Sequence, residues 1–351
     1  MLSEQDKISI GEAIDRLNIV PMANWVLLKG LPIWKLYDAA REKTGEPLSL
    51  HAAKGIEKAV KPGDAAIVTT GFVVAGAERG ETDGPTGAAA IARAIDVGLK
   101  GTPVMVTEEM LTGVVNATCQ AAGLNNYAKL EDARAKPHRM HVRGFPTDDN
   151  EARRLAGKML DEINPSAIIS VERPSRNEKG IYHSGGGFDI SRTAAKVDYL
   201  IDEAKERGIF TVGIGDLGNE LGMGYIKDAV KKYVPGATEC KCPCKAGTAS
   251  DVATDACIVA TVSNWGGYGI AAMLAALVGE PEVFHDMQTE RLMLRACAQA
   301  GGIDSVAGMS RPWADGVSEE VTSYLVEMLR QIILVKLRES MFTRDYKRVV
   351  K

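Results

Sequence analysis

From about residue 62 onward, short apolar runs alternate with segments of helical periodicity. That alternation restricts the chain to a mainly parallel sheet with helices on both faces. The runs 65–70, 103–107, 140–142, 167–171, 209–214 and 257–262 read as buried strands. Helices are expected over 85–99, after the 103–107 strand to about Ala122, and over 194–207, 226–234 and 268–278, with long closing helices over 282–300 and 317–339. Pro85 suits a first helical turn. Asp148-Asp149-Asn150-Glu151 reads as an N-cap and acidic first turn for a helix ending at Ile163. The expected architecture is α/β, Rossmann-like and three-layered, with one domain over 61–340. A helical leader over 1–60 precedes it. A basic tail over 341–351, carrying Arg344, Lys347, Arg348 and Lys351, follows it.

Composition narrows the function classes. Hydrophobic residues are 45% and charged residues 25%, values of an ordinary globular protein rather than a disordered one. A net charge of −4 argues against a non-specific nucleic-acid binder. Six cysteines, three bunched as Cys240-Lys-Cys242-Pro-Cys244, do not make a disulfide framework, and the first residues lack an apolar signal-peptide run. Cytoplasmic residence is the expectation. The uncharged stretch 256–279 is long enough to cross a bilayer, but Ser263–Gly269 at its centre reads as a loop. Strand, site loop and buried helix is therefore the reading, and no membrane partner is expected. Long apolar helices at both ends suggest a homodimer.

In open α/β sheets, ligands bind beyond the carboxyl ends of the strands, and the polar, glycine-rich segments here fall at those ends. Gly213–Gly224 holds five glycines with Asp216, Asn219 and Glu220. Such a loop lets backbone approach a ligand and offers hard oxygen donors or acid/base groups; a tight turn with Asp216 as a cap is the bland alternative. Thr82, Asp83 and Gly84 open a helix whose N-terminus can face a ligand carboxylate, or they simply cap it. Glu172-Arg173 leaves a strand directly into charge, suiting catalysis, a bidentate clamp on a carboxylate, or a structural ion pair. Tyr182 and His183 sit in a glycine-rich flap, where His183 is a candidate acid/base or a solvated side chain. Ser263 and Asn264 are candidate substrate donors and Trp265 a pocket wall, with helix capping and packing as the alternative. The three bunched cysteines read as an exposed insertion loop more than a metal or redox site, because a fourth ligand is not visible. A dinucleotide site is not expected, since the GxGxxG unit with its acidic partner is absent.

Together these loops resemble one family. Glu81-Thr-Asp-Gly-Pro-Thr-Gly-Ala88, Val171-Glu-Arg173, Gly180-x-Tyr182, Gly213–Gly224 and Val262-Ser-Asn-Trp-Gly-Gly-Tyr268 occur in the order found in the D-glutamate cyclase family, in its C-terminal catalytic domain. Gly308-Met309 and Asp315-Gly316 fit a last, weaker block, and the resemblance covers roughly residues 60–335. Larger members carry an additional N-terminal domain, for which this chain has a helical leader. The resemblance implies a hydro-lyase that converts D-glutamate to 5-oxo-D-proline and water, assisted by a divalent cation such as Mn²⁺ or Mg²⁺. It implies Glu172, Asp216 and Glu220 as catalytic candidates and metal ligands; His183 is a catalytic candidate from its own loop, and His183-Ser184, like Pro174-Ser175, departs from the family's pattern. Thr82, Asp83, Gly84, Arg173, Tyr182, Asn219, Ser263, Asn264 and Trp265 are the implied substrate contacts. The expected partner is a small amino acid or lactam. Leu217 departs from the family's usual glycine, and the Cys240–Ala246 insertion is unfamiliar. The alternatives are a metal-dependent hydrolase of a small lactam and a non-catalytic carboxylate or nucleotide binder.

Overall fold

The computed structural model describes residues 2–22 and 33–349, with side chains described up to residue 337. Three leader helices come first: α1 (Glu4–Asn18), α2 (Ile33–Thr44) and α3 (Leu48–Ala59). Strand β1 (Ala65–Thr70), α4 (Pro85–Arg93), β2 (Thr102–Glu108), α5 (Thr112–Ala121), β3 (Asn125–Asn126), α6 (Leu130–Ala135) and β4 (Arg139–Phe145) follow. Next come α7 (Asp149–Ile163), β5 (Pro165–Val171), α8 (Asp198–Glu206), β6 (Phe210–Gly215), α9 (Lys227–Tyr233) and β7 (Ala256–Val259). Helices α10 (Ser263–Val278), α11 (Met287–Gln299) and α12 (Glu319–Val349) close the chain.

Seven parallel strands form one sheet in the order β3-β4-β2-β1-β5-β6-β7. Strand period two divides the side chains between two cores. Ala66 and Val68 of β1 face one side, where α1–α5 and α10–α12 pack. Ala65 and Ile67 face the other, where α7 and α8 pack together with Leu130 of α6. The chain first builds outward from β1 through β2 to β4, then returns across β1 to build β5, β6 and β7. The connections reverse between β1 and β5, and a crevice opens at such a switch point.

The expected α/β class and strand positions stand. The leader, however, belongs to the main core. Asp15 of α1 accepts hydrogen bonds from the N–H groups of Leu48 (2.7 Å) and Ser49 (3.1 Å), so it caps α3 across space. The basic residues of the expected tail fall outside the described side chains, while α12 runs on to Val349. Among the described residues, no helix is long and apolar enough to cross a membrane. The expected loop over 263–269 is the start of α10 instead. Its first N–H groups find an acceptor far away in sequence: Asp83 accepts from Ser263 N and Asn264 N, each at 2.8 Å.

Candidate active site

Six carboxylates gather beyond the carboxyl ends of the strands flanking the switch point. Glu81 and Asp83 follow β1, Glu172 follows β5, Asp216 and Glu220 follow β6, and Asp315 comes from a two-residue hairpin before α12. All six are buried. Single oxygens of Glu172, Asp216 and Glu220 lie within 4.8 Å of one another, as do oxygens of Asp83, Asp216 and Asp315. Asp216 therefore joins both groups.

Their hydrogen bonds sort them into two kinds. Asp83 accepts three backbone N–H bonds, from Gly84, Ser263 and Asn264. Glu220 accepts from Leu217 N (3.0 Å) and Gly218 N (2.7 Å). Burial raises both carboxyls, and these donors oppose the rise. By contrast, both oxygens of Asp216, one of Glu81 and one of Asp315 have no hydrogen-bond donor. Burial first, then the charge of neighbouring carboxylates, pushes Glu81, Glu172, Asp216 and Asp315 well above the ordinary carboxylate range. Glu172 receives one donor, the Ser263 hydroxyl at 2.5 Å. The backbone is bent to present the cluster: Glu172 (φ 43°) and Asp315 (φ 53°) both occupy the left-handed region, where a non-glycine residue stores strain.

A cavity of about 330 Å³ opens onto this cluster. Glu81, Glu172 and Asp315 supply its acidic wall, and Asn219 and Ser305 add polar groups. Phe72, Leu217 and Val306 supply apolar surface, and Ser184–Gly186 of the flap covers one side. Leu217 packs on that flap: a Cβ added at Gly185 would stand 2.6 Å from Leu217 Cδ1.

Several expected site residues lie elsewhere. Arg173 does not clamp a ligand. Its guanidinium is fully buried against Glu108 (2.5 and 2.6 Å), and it also donates to the carbonyls of Thr70, Gly71 and Ala195. The α4 N-terminus is not open to a ligand carboxylate either, because Asn264 Oδ1 accepts from Gly84 N (2.9 Å) and Gly87 N (2.8 Å). Asn264 and Asp83 thus cap each other's helices. Thr82 donates to the carbonyls of Ile303 and Trp313. Trp265 is fully buried in the first turn of α10 rather than walling the cavity. Tyr182 is buried with Phe72, Ile190 and Ala194, its ring 4.4 Å from the Lys196 ammonium. His183 turns away from the carboxylates towards Cys242 and Cys244. The cysteine segment is no exposed insertion, since Cys240 and Cys242 are buried.

Sequence reasoning passed over Glu81, Glu108 and Asp315 as site or support residues. Glu81 and Asp315 stood inside recognised blocks. Glu108 ends a buried strand, and a charge in that position is the signal that could have found it.

The carboxylate donor set suits a hard divalent cation. It is all oxygen, and both oxygens of Asp216, one of Glu81 and one of Asp315 have no internal partner.

The human protein "D-glutamate cyclase, mitochondrial" is 36% identical over 111 residues, covering 31% of this chain and 17% of that protein. The chain therefore aligns with a small part of that relative's length. A family profile described as D-glutamate cyclase-like, C-terminal, matches residues 36–331. Both acidic groups and the flap lie inside that span, and the chain belongs to the D-glutamate cyclase-like C-terminal family.

Proposed function

We propose that the chain is a hydro-lyase that closes D-glutamate, or a closely similar amino dicarboxylate, into its five-membered lactam with release of water. The observation that carries the reading is the meeting of a small cavity with buried carboxylates whose proton affinity burial has raised. Cyclisation strips two protons from the substrate ammonium and delivers two to the departing carboxylate oxygen. No net proton is consumed, so the site needs groups that accept and return protons near neutral pH. An ordinary carboxylate is too acidic for that task, and a raised one is matched to it.

Glu172 takes the base role in this reading. It lines the cavity, its Oε2 is steered by Ser263, and burial, then neighbouring charge, favours its proton uptake. Glu81 and Asp315 also line the cavity with raised proton affinity and are candidates to protonate the departing oxygen. Asp216 and Glu220 would hold a divalent cation, leaving Glu172, Glu81 and Asp315 for proton transfer. When bound, it supplies Lewis-acid polarisation of the side-chain carboxyl group, otherwise a poor electrophile. Asn219, on the cavity wall, offers a buried Oδ1 without a partner to an ammonium or amide N–H. Phe72, Leu217 and Val306 exclude water from the chain of the substrate.

The test is product analysis from both directions. Purified protein is incubated with D-glutamate, L-glutamate or 5-oxoproline, with Mn²⁺, Mg²⁺ or EDTA, and followed by chiral chromatography. Metal-dependent 5-oxo-D-proline is the expected product. Ring opening alone would replace the lyase with a lactam hydrolase. Ligand binding without turnover would make the chain a binder.

A further inference from the structure

We propose that His183, Cys240, Cys242 and Cys244 form a zinc site, separate from the acidic cluster, that fastens the cavity flap to the segment after α9. Cys240 Sγ lies 3.4 Å from Cys242 Sγ and 3.3 Å from Cys244 Sγ. His183 Nε2 lies 3.2 Å from Cys242 Sγ and 3.7 Å from Cys244 Sγ. A tetrahedral Cys₃His site has ligand–ligand edges of roughly 3.5–3.8 Å, given Zn–S near 2.3 Å and Zn–N near 2.0 Å. Four of the six edges thus lie within about half an ångström of those of that tetrahedron, the other two are within 4.8 Å, and modest side-chain movements would admit the ion.

The surroundings match a thiolate centre. None of the cysteines is in a disulfide, and separations above 3 Å exceed the ~2.05 Å bond length widely. Cys244 N donates to Cys242 Sγ at 3.3 Å, and Asn177 Nδ2 reaches Cys244 Sγ at 3.5 Å. N–H groups directed at sulfur stabilise the ionised form that a metal requires. Soft sulfur donors select zinc, whereas the all-oxygen cluster selects Mg²⁺ or Mn²⁺, so the two sites would not compete for one ion.

The site also has a mechanical role. Hydrogen bonds already join the two segments, with Lys241 N donating to Gly187 O at 3.1 Å and the Lys179 side chain donating through Nζ to Cys244 O at 3.1 Å. His183 O accepts from Asn219 Nδ2 at 2.9 Å, and Gly185 and Gly186 wall the cavity. A metal bond to His183 would hold the flap and Asn219 in one position.

Full-length protein, passed over a chelating resin, is expected to retain about one zinc per chain, released by a thiol-directed mercurial. Asp216→Asn should retain it and Cys242→Ser should lose it. Because Cys242→Ser can misfold, metal-free wild-type protein is also titrated with Co²⁺ under reducing conditions. A thiolate-to-cobalt charge-transfer band with tetrahedral d–d absorption is expected at one equivalent. His183→Cys should keep the metal and shift that spectrum. Zinc should slow alkylation of the three thiols and proteolysis within 180–189 at least tenfold. Folded wild-type protein that gives no thiolate–cobalt band overturns the proposal. So does alkylation at an unchanged rate in excess zinc.

Discussion

Asp216 and Glu220 stand four residues apart and are both buried, yet only Glu220 is neutralised by backbone N–H groups. Asp216 has the oxygens free for a ligand, so Asp216→Asn should cut turnover by about 10²–10⁴-fold. The same change removes a buried carboxyl that lacks a hydrogen-bond donor, so the metal-free protein should melt at an equal or higher temperature. A chiral product assay and a thermal melt in EDTA read the two effects separately; equal turnover would remove Asp216 from the chemistry. Arg173 illustrates the opposite case. Glu108→Gln strands its buried guanidinium and should cost about 3–5 kcal/mol, measured by urea unfolding. A loss under 1 kcal/mol would mean that the carbonyls of Thr70, Gly71 and Ala195 suffice. The sequence showed that Glu172 and Arg173 leave a strand together, but not that Arg173 points back to Glu108, 65 positions away. Likewise the three cysteines were visible, while their histidine lies 59 positions before Cys242. Residue type and local spacing are written in the chain; partners brought together by the sheet crossover are not.

Helices α4 and α10 cross where glycines let their backbones touch. A Cβ at Gly267 would stand 2.7 Å from Gly87 Cα, and one at Gly87 would stand 2.8 Å from Asn264 Cα. In a free helix, Gly267→Ala would gain about 1 kcal/mol from propensity. Here overpacking of about 1–3 kcal/mol works against that gain, so net destabilisation is expected in urea titrations. A stabilised variant would show that the helices can separate without loss. The crossing matters for the site because Asn264 and Asp83 cap each other's helices across it. Asn264→Ala should therefore lower stability by about 1–2 kcal/mol. Strands such as β1 were legible, since buried parallel strands are continuous apolar runs. The start of α10 was not legible, because its cap lies near residue 83 and its Gly266-Gly267 pair has the local signature of a turn.

At the scale of the whole molecule, the acidic cluster links stability to pH and metal. Glu81, Glu172, Asp216 and Asp315 hold protons in the fold that they release when unfolded. Their folded values are raised, so the metal-free protein has their full contribution to stability only below the ordinary carboxylate range, near pH 4. It loses stability as pH climbs towards those raised values, by about 1.4 kcal/mol per pH unit for each group that differs. Melting temperature in EDTA should fall between pH 5 and pH 8, and Mn²⁺ should flatten the profile. A flat profile in EDTA would mean that the cluster is hydrated. The left-handed backbone at Glu172 and Asp315 carries this tension between stability and use into the history of the family. Glycine would suit either position better, relieving about 1 kcal/mol of strain along with a buried charge. A lineage released from the reaction should therefore drift to glycine at 172 and 315 and become sturdier. Carboxylates at both positions are the expectation for descendants still selected for the proposed chemistry.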